Sequence, residues 1–267
     1  MSDAAVRRRG TAAGLRLQAR VIHALILREI QTRFGRDGGG FLWLFVEPIL
    51  LSCFIGLMKW AAERWTGSGH GINPFLFAIV GYVPFFGFRA ILMRGASAIQ
   101  ANAALMYHRP VQLLDIIIAR NVLEAVAVMG AVSIILTGVA WVLGDEPSSL
   151  LTMLLGMALL LLFANGLGML VAAGCATSET FEKLIHPATY LTMPLSGCLF
   201  ALHWMPAWIR DALLWNPQVH FHEMVRDGMF GNVLPAYYDV PYMLGAVLLV
   251  NFFGLCALRA VRSRVEL

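Results

Sequence analysis

Apolar residues come in long blocks along this chain, and the polar ones gather between them. A bilayer core of roughly 30 Å takes about 20 apolar residues as a helix. Six blocks meet or approach that length, at 41–62, 74–93, 118–143, 149–174, 187–202 and 240–261. The pattern predicts an all-α integral membrane protein with six transmembrane helices. No stretch between the blocks is long enough for a core of its own, so residues 1–267 read as one domain.

The fifth block breaks the regularity. It is short, and it carries Thr189, Tyr190, Thr192, Pro194, Ser196 and Gly197. The stretch after it, 203–239, holds Trp204, Met205, Trp208, Ile209, Leu213, Leu214, Trp215 and Phe221. That is too apolar for a free loop and too interrupted by Pro206 and Pro217 for a span. Re-entrant helices between spans five and six fit both facts, because such backbone is tolerated at membrane depth only where protein or a water-filled cavity covers it.

Ahead of the first block, residues 15–36 form a predicted interfacial helix. Ile22, Ile26, Ile30 and Phe34 share one i,i+4 row, although Leu17, Val21 and Leu25 lie off it, and the basic residues suit anionic headgroups. Gly38-Gly39-Gly40 then lets the chain turn into the first span. No compact apolar stretch with a small-residue cleavage site precedes Gly40, so no signal peptide is expected.

Charge sets the orientation. Arg7, Arg8, Arg9, Arg16, Arg20, Arg28, Arg33 and Arg36 lie before the first span, Arg89, Arg94, Arg109 and Arg120 around the second loop, and Arg259, Arg262 and Arg264 in the tail. The opposite loops hold only Arg64, then none beside Asp145 and Glu146, then Arg210 and Arg226. Both termini are therefore expected in the cytoplasm. Composition agrees with the membrane reading, with 59% hydrophobic and 13% charged residues and a net charge of +4, against about 25% charged for a soluble domain. Nothing points to a nucleic-acid partner.

Little in the sequence points to catalysis. Lys59 and Lys183 are the only lysines, and neither follows the Gly-rich run of a phosphate-binding loop. If ATP drives this protein, another chain hydrolyses it. Cys53, Cys175, Cys198 and Cys256 lack metal-type spacing and predict no disulfide framework. His220, His222 and Glu223 invite a metal reading, but residues two apart diverge on a helix, so no metal is expected.

Two acids lie within spans. Glu124 follows Arg120 by four residues and predicts an ion pair along one helix. Glu47 precedes Pro48, which frees a backbone carbonyl, so packing or gating is its expected role. A proton-carrying role is the alternative. The second span reads Gly81-Tyr82-Val83-Pro84-Phe85-Phe86-Gly87-Phe88-Arg89. Its aromatics either pack against neighbours or face sugar rings, and Arg89 either attracts an anionic polymer or snorkels to inner headgroups. Trp43, Trp60, Trp65 and Trp141 read as anchors at the membrane edges. Residues 94–115 form either a membrane-surface helix or a docking helix for a cytoplasmic partner, with Thr177 to Lys183 as a second contact.

Three stretches resemble the permease subunit of bacterial capsular polysaccharide exporters, within the type 2 ABC exporter class. The first runs from Leu27-Arg28-Glu29 through Arg33-Phe34-Gly35-Arg36 to Trp43 and Glu47-Pro48. The second joins Asn73-Pro74-Phe75-Leu76-Phe77 to Gly81-Tyr82-Val83-Pro84-Phe85-Phe86. The third is Leu213-Leu214-Trp215-Asn216-Pro217 with His220, Glu223, Arg226 and Gly228. The chain departs from that pattern at Gly38-Gly39-Gly40, where a bulkier turn is usual.

The resemblance implies a transport subunit, not an enzyme, in the bacterial inner membrane. It implies a homodimer with two ATP-binding cassette subunits that hold the ATP and magnesium, and periplasmic co-polymerase-type and outer-membrane polysaccharide export partners. The cargo is then a lipid-linked polysaccharide. Expected path residues are Glu47, Tyr82, Phe85, Phe86, Arg89, Tyr190, Trp204, Trp208 and Trp215. Expected contacts with the ATPase subunit are Arg28, Arg33, Asn102, Tyr107, His108, Arg109, Glu179, Phe181 and Glu182. The rival cargoes are O-antigen and teichoic acid. The rival classes are an ion-coupled secondary transporter and a membrane enzyme acting on lipid-linked sugars.

Overall fold

Side chains at the segment boundaries decide where several helices start. Asn73 accepts from the backbone N–H groups of Phe75 (3.0 Å) and Leu76 (3.4 Å), and Pro74 takes the first helical position. Ser149, Ser178 and Asn216 cap three further helices in the same way, the last again followed by proline. Each cap satisfies N–H groups that a helix start leaves without partners.

A computed structural model describes residues 3–34, 40–67, 71–98, 101, 112–143, 146–231 and 233–265. The described helices are α1 (Asp3–Phe34), α2 (Gly40–Thr66), α3 (Pro74–Ala96), α4 (Leu113–Leu143), α5 (Leu150–Thr177), α6 (Glu179–Leu195), α7 (Ala207–Leu213), α8 (Pro217–Phe230) and α9 (Val240–Val265), with a 3-10 turn at Leu202–Trp204. Among the described residues there is no strand. Among the described residues, four helical stretches are long and apolar enough to cross a membrane: Pro74–Ala96, Leu113–Ile135, Leu150–Thr177 and Val240–Val261.

The fifth segment departs from expectation. A helix over 187–202 was predicted with a loop before it, whereas α6 runs Glu179–Leu195 through that loop. Ser178 accepts from the Phe181 N–H, and Glu179 and Glu182 sit in the first turn, where carboxylates favour the helix dipole. The helix stops at Leu195 because Gly197 turns the chain with a φ of 77°. The N-terminal helix also begins earlier than expected, at Asp3, and packs on α4.

Helix α5 is the hub, packed by α3, α8 and α9. Its contact with α9 is close: a Cβ on Gly166 would lie 2.7 Å from the Asn251 nitrogen, and one on Gly254 would lie 2.7 Å from the Gly166 carbonyl oxygen. Small residues allow such backbone approach where lipid gives helices no hydrophobic drive to associate. The main core joins α3, α5, α8 and the start of α9, and a smaller cluster of Leu113, Ile117, Met169, Leu258 and Val261 closes the end nearest α1.

Candidate functional site

Among the described residues, the short helix α8 carries a cluster of buried polar side chains: Gln218, His220, His222, Glu223 and Arg226. Glu223 and Arg226, one helical turn apart, pair through Oε1 and Nη1 at 3.1 Å, and each is 1% exposed. Taking two charges out of water costs several kcal/mol per ion, so such a pair persists only if its remaining hydrogen-bonding groups are satisfied. Most of them are. Glu223 accepts from the backbone N–H groups of Leu202 and Tyr237, both at 3.2 Å. Arg226 donates through Nη2 to the Gly197 carbonyl, and its guanidinium lies 4.8 Å from the centre of the Phe77 ring. Burial works against the charge of Arg226, and Glu223 offsets it.

One carboxylate and one guanidinium thus fasten the segments around 197–202 and 237 to α8. The turn lies directly on α3, where a Cβ on Gly81 would fall 2.0 Å from the Cys198 carbonyl oxygen. Asn216 extends the same fastening by donating to the Leu195 carbonyl at 2.9 Å. The result is a cap at one end of the bundle, held to α8 by these hydrogen bonds.

The histidines belong to this cap. His220 donates through Nε2 to the Leu214 carbonyl (2.8 Å) and accepts through Nδ1 from the Asp239 N–H (3.0 Å). His222 donates through Nδ1 to the Gln218 carbonyl at 2.9 Å. Burial pushes the His222 imidazole down to about 3, aided by the charge of Arg226 and opposed by that hydrogen bond. Among the described residues no group of three or more His, Cys, Asp or Glu side chains could hold a metal ion. In the adjoining loop, burial and the hydrogen bond to Asp227 raise the Tyr238 phenol.

The expected path residues separate into groups. Arg89 stacks on Tyr190 with 4.0 Å between guanidinium carbon and ring centre, and Tyr82 lies within electrostatic reach of Arg89, Glu47 and Tyr190. Glu47 and Tyr190 are exposed and Phe86 is half-buried. Phe85 points inward, in a file of rings that runs through Phe88 and Phe163 to Phe221 at centroid distances of 6.2, 6.4 and 5.3 Å. Trp204 stacks on Phe77 at 4.8 Å, and the Lys59 ammonium sits 4.2 Å from both ring centres. Trp208 and Trp215 are exposed, at 74% and 83%. Glu47, Tyr82, Arg89 and Tyr190 therefore share one neighbourhood, and the three tryptophans belong to the cap and its rim.

Arg120 and Glu124, expected to pair along α4, both pair with residues of other helices. Arg94 of α3 meets Glu124 at 2.9 Å, and Arg120 meets Glu29 of α1 at 3.4 Å. Arg120 also donates to the Arg94 carbonyl (3.3 Å) and to Ser97 Oγ (3.4 Å), and Gln18 of α1 donates to Asp115 at 2.9 Å. A helical i,i+4 pair is worth only a few tenths of a kcal/mol. The buried Glu124 gains more from a partner on the adjacent helix. Of the expected ATPase contacts, Arg28 and Glu179 are exposed, Glu182 is half-buried, and Phe181 rests against Gly174. Asn102, Tyr107, His108, Arg109 and the side chain of Arg33 lie outside the described residues.

Sequence reasoning passed over Asn121, Asn165 and Asn251, which join α4, α5 and α9 through a file of amide hydrogen bonds. The available signal was their placement within apolar blocks, where a polar side chain needs a partner.

The model of the family described as ABC-2 type transporter matches residues 20–230. The chain is 37% identical over 258 residues to the capsule polysaccharide export inner-membrane protein CtrC of Neisseria meningitidis serogroup B, covering 94% of this chain and 95% of that one. It is 34% identical over 255 residues to the capsule polysaccharide export inner-membrane protein BexB of Haemophilus influenzae, with the same coverage. To the polysialic acid transport protein KpsM of Escherichia coli it is 32% identical over 253 residues, covering 92% and 95%.

Proposed function

The chain belongs to the ABC-2 type transporter family, and from that membership we propose that it is the membrane-spanning permease subunit of an ATP-driven exporter. Its cargo is lipid-linked capsular polysaccharide, which it passes across the bacterial inner membrane. The observation that carries this reading is the likeness, over at least 92% of the chain, to proteins named for capsule polysaccharide export or polysialic acid transport. Helices long and apolar enough to cross a bilayer support the location.

In this reading the chain crosses six times with both termini in the cytoplasm, and α7 and α8 are the re-entrant pair. Two copies enclose the path, because six helices hardly surround a pore as wide as a sugar. Two separate subunits bind ATP and magnesium, and periplasmic and outer-membrane partners carry the polymer onward. This chain makes and breaks no covalent bond.

The work it does is mechanical. Closure of the ATP-binding subunits pushes on the exposed end of α6 and on the 94–115 segment. The interhelical pairs Arg94–Glu124 and Arg120–Glu29 make α1, α3 and α4 respond together. Arg89 and Tyr190 offer a cation and an aromatic face to an acidic polymer. At the opposite end the cap around Glu223 stays rigid and guides the emerging chain.

Inverted membrane vesicles holding the permease and its ATP-binding partner test this. Polymer uptake is expected to need hydrolysable ATP and to survive an uncoupler. Uptake by this chain alone, or uptake lost on collapse of the ion gradient while ATP is held constant, would overturn the proposal.

A further inference from the structure

The C-terminal half of α9 carries an exposed apolar row that ends on a cation. Leu248, Phe252, Leu255 and Arg259 follow one another at steps of four, three and four residues, so they share one face of the helix, and all four are exposed. Among the four membrane-length stretches, that of α9 is the least buried. The rise from Leu248 to Arg259 is about 16 Å, the apolar depth of one leaflet. Arg259 lies two residues before the end of the apolar stretch Val240–Val261, so its guanidinium reaches the level of the headgroups. Among the described residues that guanidinium has no ion-pair or hydrogen-bond partner.

Beside Arg259 a groove of about 370 Å³ lies between the start of α4 and α9. Leu113, Leu114, Leu255 and Leu258 form its apolar walls, and Gln112 and Arg259 are its polar lining. The nearest acid in sequence, Asp115, is already committed. Gln18 Nε2 donates to its Oδ1 at 2.9 Å, the Gln112 N–H donates to its Oδ2 at 3.1 Å, and the residue is buried. The groove therefore gives an anion a cation and an amide donor, and its lining gives an ammonium group no carboxylate. An amphiphile with a net negative head and an acyl chain one leaflet long matches the charge and the depth together. A zwitterionic lipid matches the apolar row equally well but brings a positive group that finds no counterion here.

We propose that this groove binds an anionic phospholipid from the leaflet around the C-terminal end of α9. Its phosphate rests on Arg259 and Gln112, and an acyl chain runs along Leu255, Phe252 and Leu248. The site shares no residue with the Arg89–Tyr190 neighbourhood, so the inference goes beyond the export reading and does not depend on it.

The test uses the full-length chain in phosphatidylcholine vesicles doped with either photoactivatable phosphatidylglycerol or photoactivatable phosphatidylcholine, with labelled residues mapped by peptide mass spectrometry. Phosphatidylglycerol is expected to label 112–114 and 255–259 about fivefold more than phosphatidylcholine does, the factor that one arginine contributes near an acidic headgroup. Arg259→Gln is expected to remove that excess and Arg259→Lys to keep it. Leu255→Trp leaves the cation in place and fills part of the groove, so labelling there by both lipids is expected to fall. Equal labelling of the unaltered chain by the two lipids would overturn the proposal and leave the groove to bulk lipid. So would an excess that survives Arg259→Gln. An excess that inorganic phosphate in the buffer abolishes would overturn it in favour of a small anion, and labelling by neither lipid would overturn it in favour of a protein partner.

Discussion

Replacing Glu223 with alanine removes the carboxylate that Arg226 and the backbone N–H groups of Leu202 and Tyr237 share. Arg226 is left 1% exposed with its charge uncompensated apart from the Gly197 carbonyl and the Phe77 face. Breaking a buried ion pair by deleting one partner costs about 3–5 kcal/mol. The substitution also orphans the N–H groups of Leu202 and Tyr237, each worth about 1–3 kcal/mol when buried without a partner. These contributions overlap, so the expected loss is near the upper end, about 5 kcal/mol, against a total stability of about 5–15 kcal/mol. The double replacement Glu223→Leu with Arg226→Met leaves no buried charge and is expected to cost at least about 2 kcal/mol less than the two single losses together. Equilibrium unfolding in mixed detergent micelles measures Glu223→Ala, the single replacements Glu223→Leu and Arg226→Met, and the double variant. A Glu223→Ala loss under about 1 kcal/mol, or a double variant that equals the sum of the singles, would refute the view that this pair fastens the cap.

Gly81→Ala forces a methyl group toward the Cys198 carbonyl and is expected to cost at least about 1–3 kcal/mol, read by the same unfolding assay; a neutral effect would mean the turn at 197–202 moves freely away from α3. For His222 the folded value of about 3 lies below the ordinary 6.5, so stability is intact above pH 6.5 and is lost as pH falls, because only the unfolded state takes up the proton. The slope is about 1.4 kcal/mol per pH unit, or about 2 kcal/mol between pH 6.5 and 5. Unfolding midpoints across that range check it, and His222→Gln is expected to flatten the dependence. Arg89→Gln is expected to slow export of acidic polymer while leaving neutral polymer unchanged; equal effects on both would remove Arg89 from cargo attraction.

Block length made the long helices legible, since about 20 apolar residues in a row have few other destinations. The offset of α6 was also written in the sequence. Ser178 with Glu179 and Glu182 is a helix start, but the apolar block beginning near Pro187 drew attention away from it. Pairings across helices were not legible. Glu124 finds Arg94 thirty residues away, and the asparagine file joins positions 44 and 86 residues apart. No local periodicity encodes such distances. Glu223 and Arg226 stood one turn apart in plain view, yet Glu223 drew notice beside His220 and His222 as a metal candidate. Its role became visible only once Leu202 and Tyr237 were seen to converge on the same carboxylate. Trp208 and Trp215 failed to join the aromatics of the second span for the same reason: composition names residue types and leaves their directions open.

Export is tested most directly by the location of the polysaccharide after deletion of this chain from the cell that makes it. Finished, lipid-ended polymer is expected to be retained in the cytoplasm and restored to the surface by the intact chain, provided its ATP-binding partner can hydrolyse ATP. Polymer present at the surface in normal amount without this chain would contradict it.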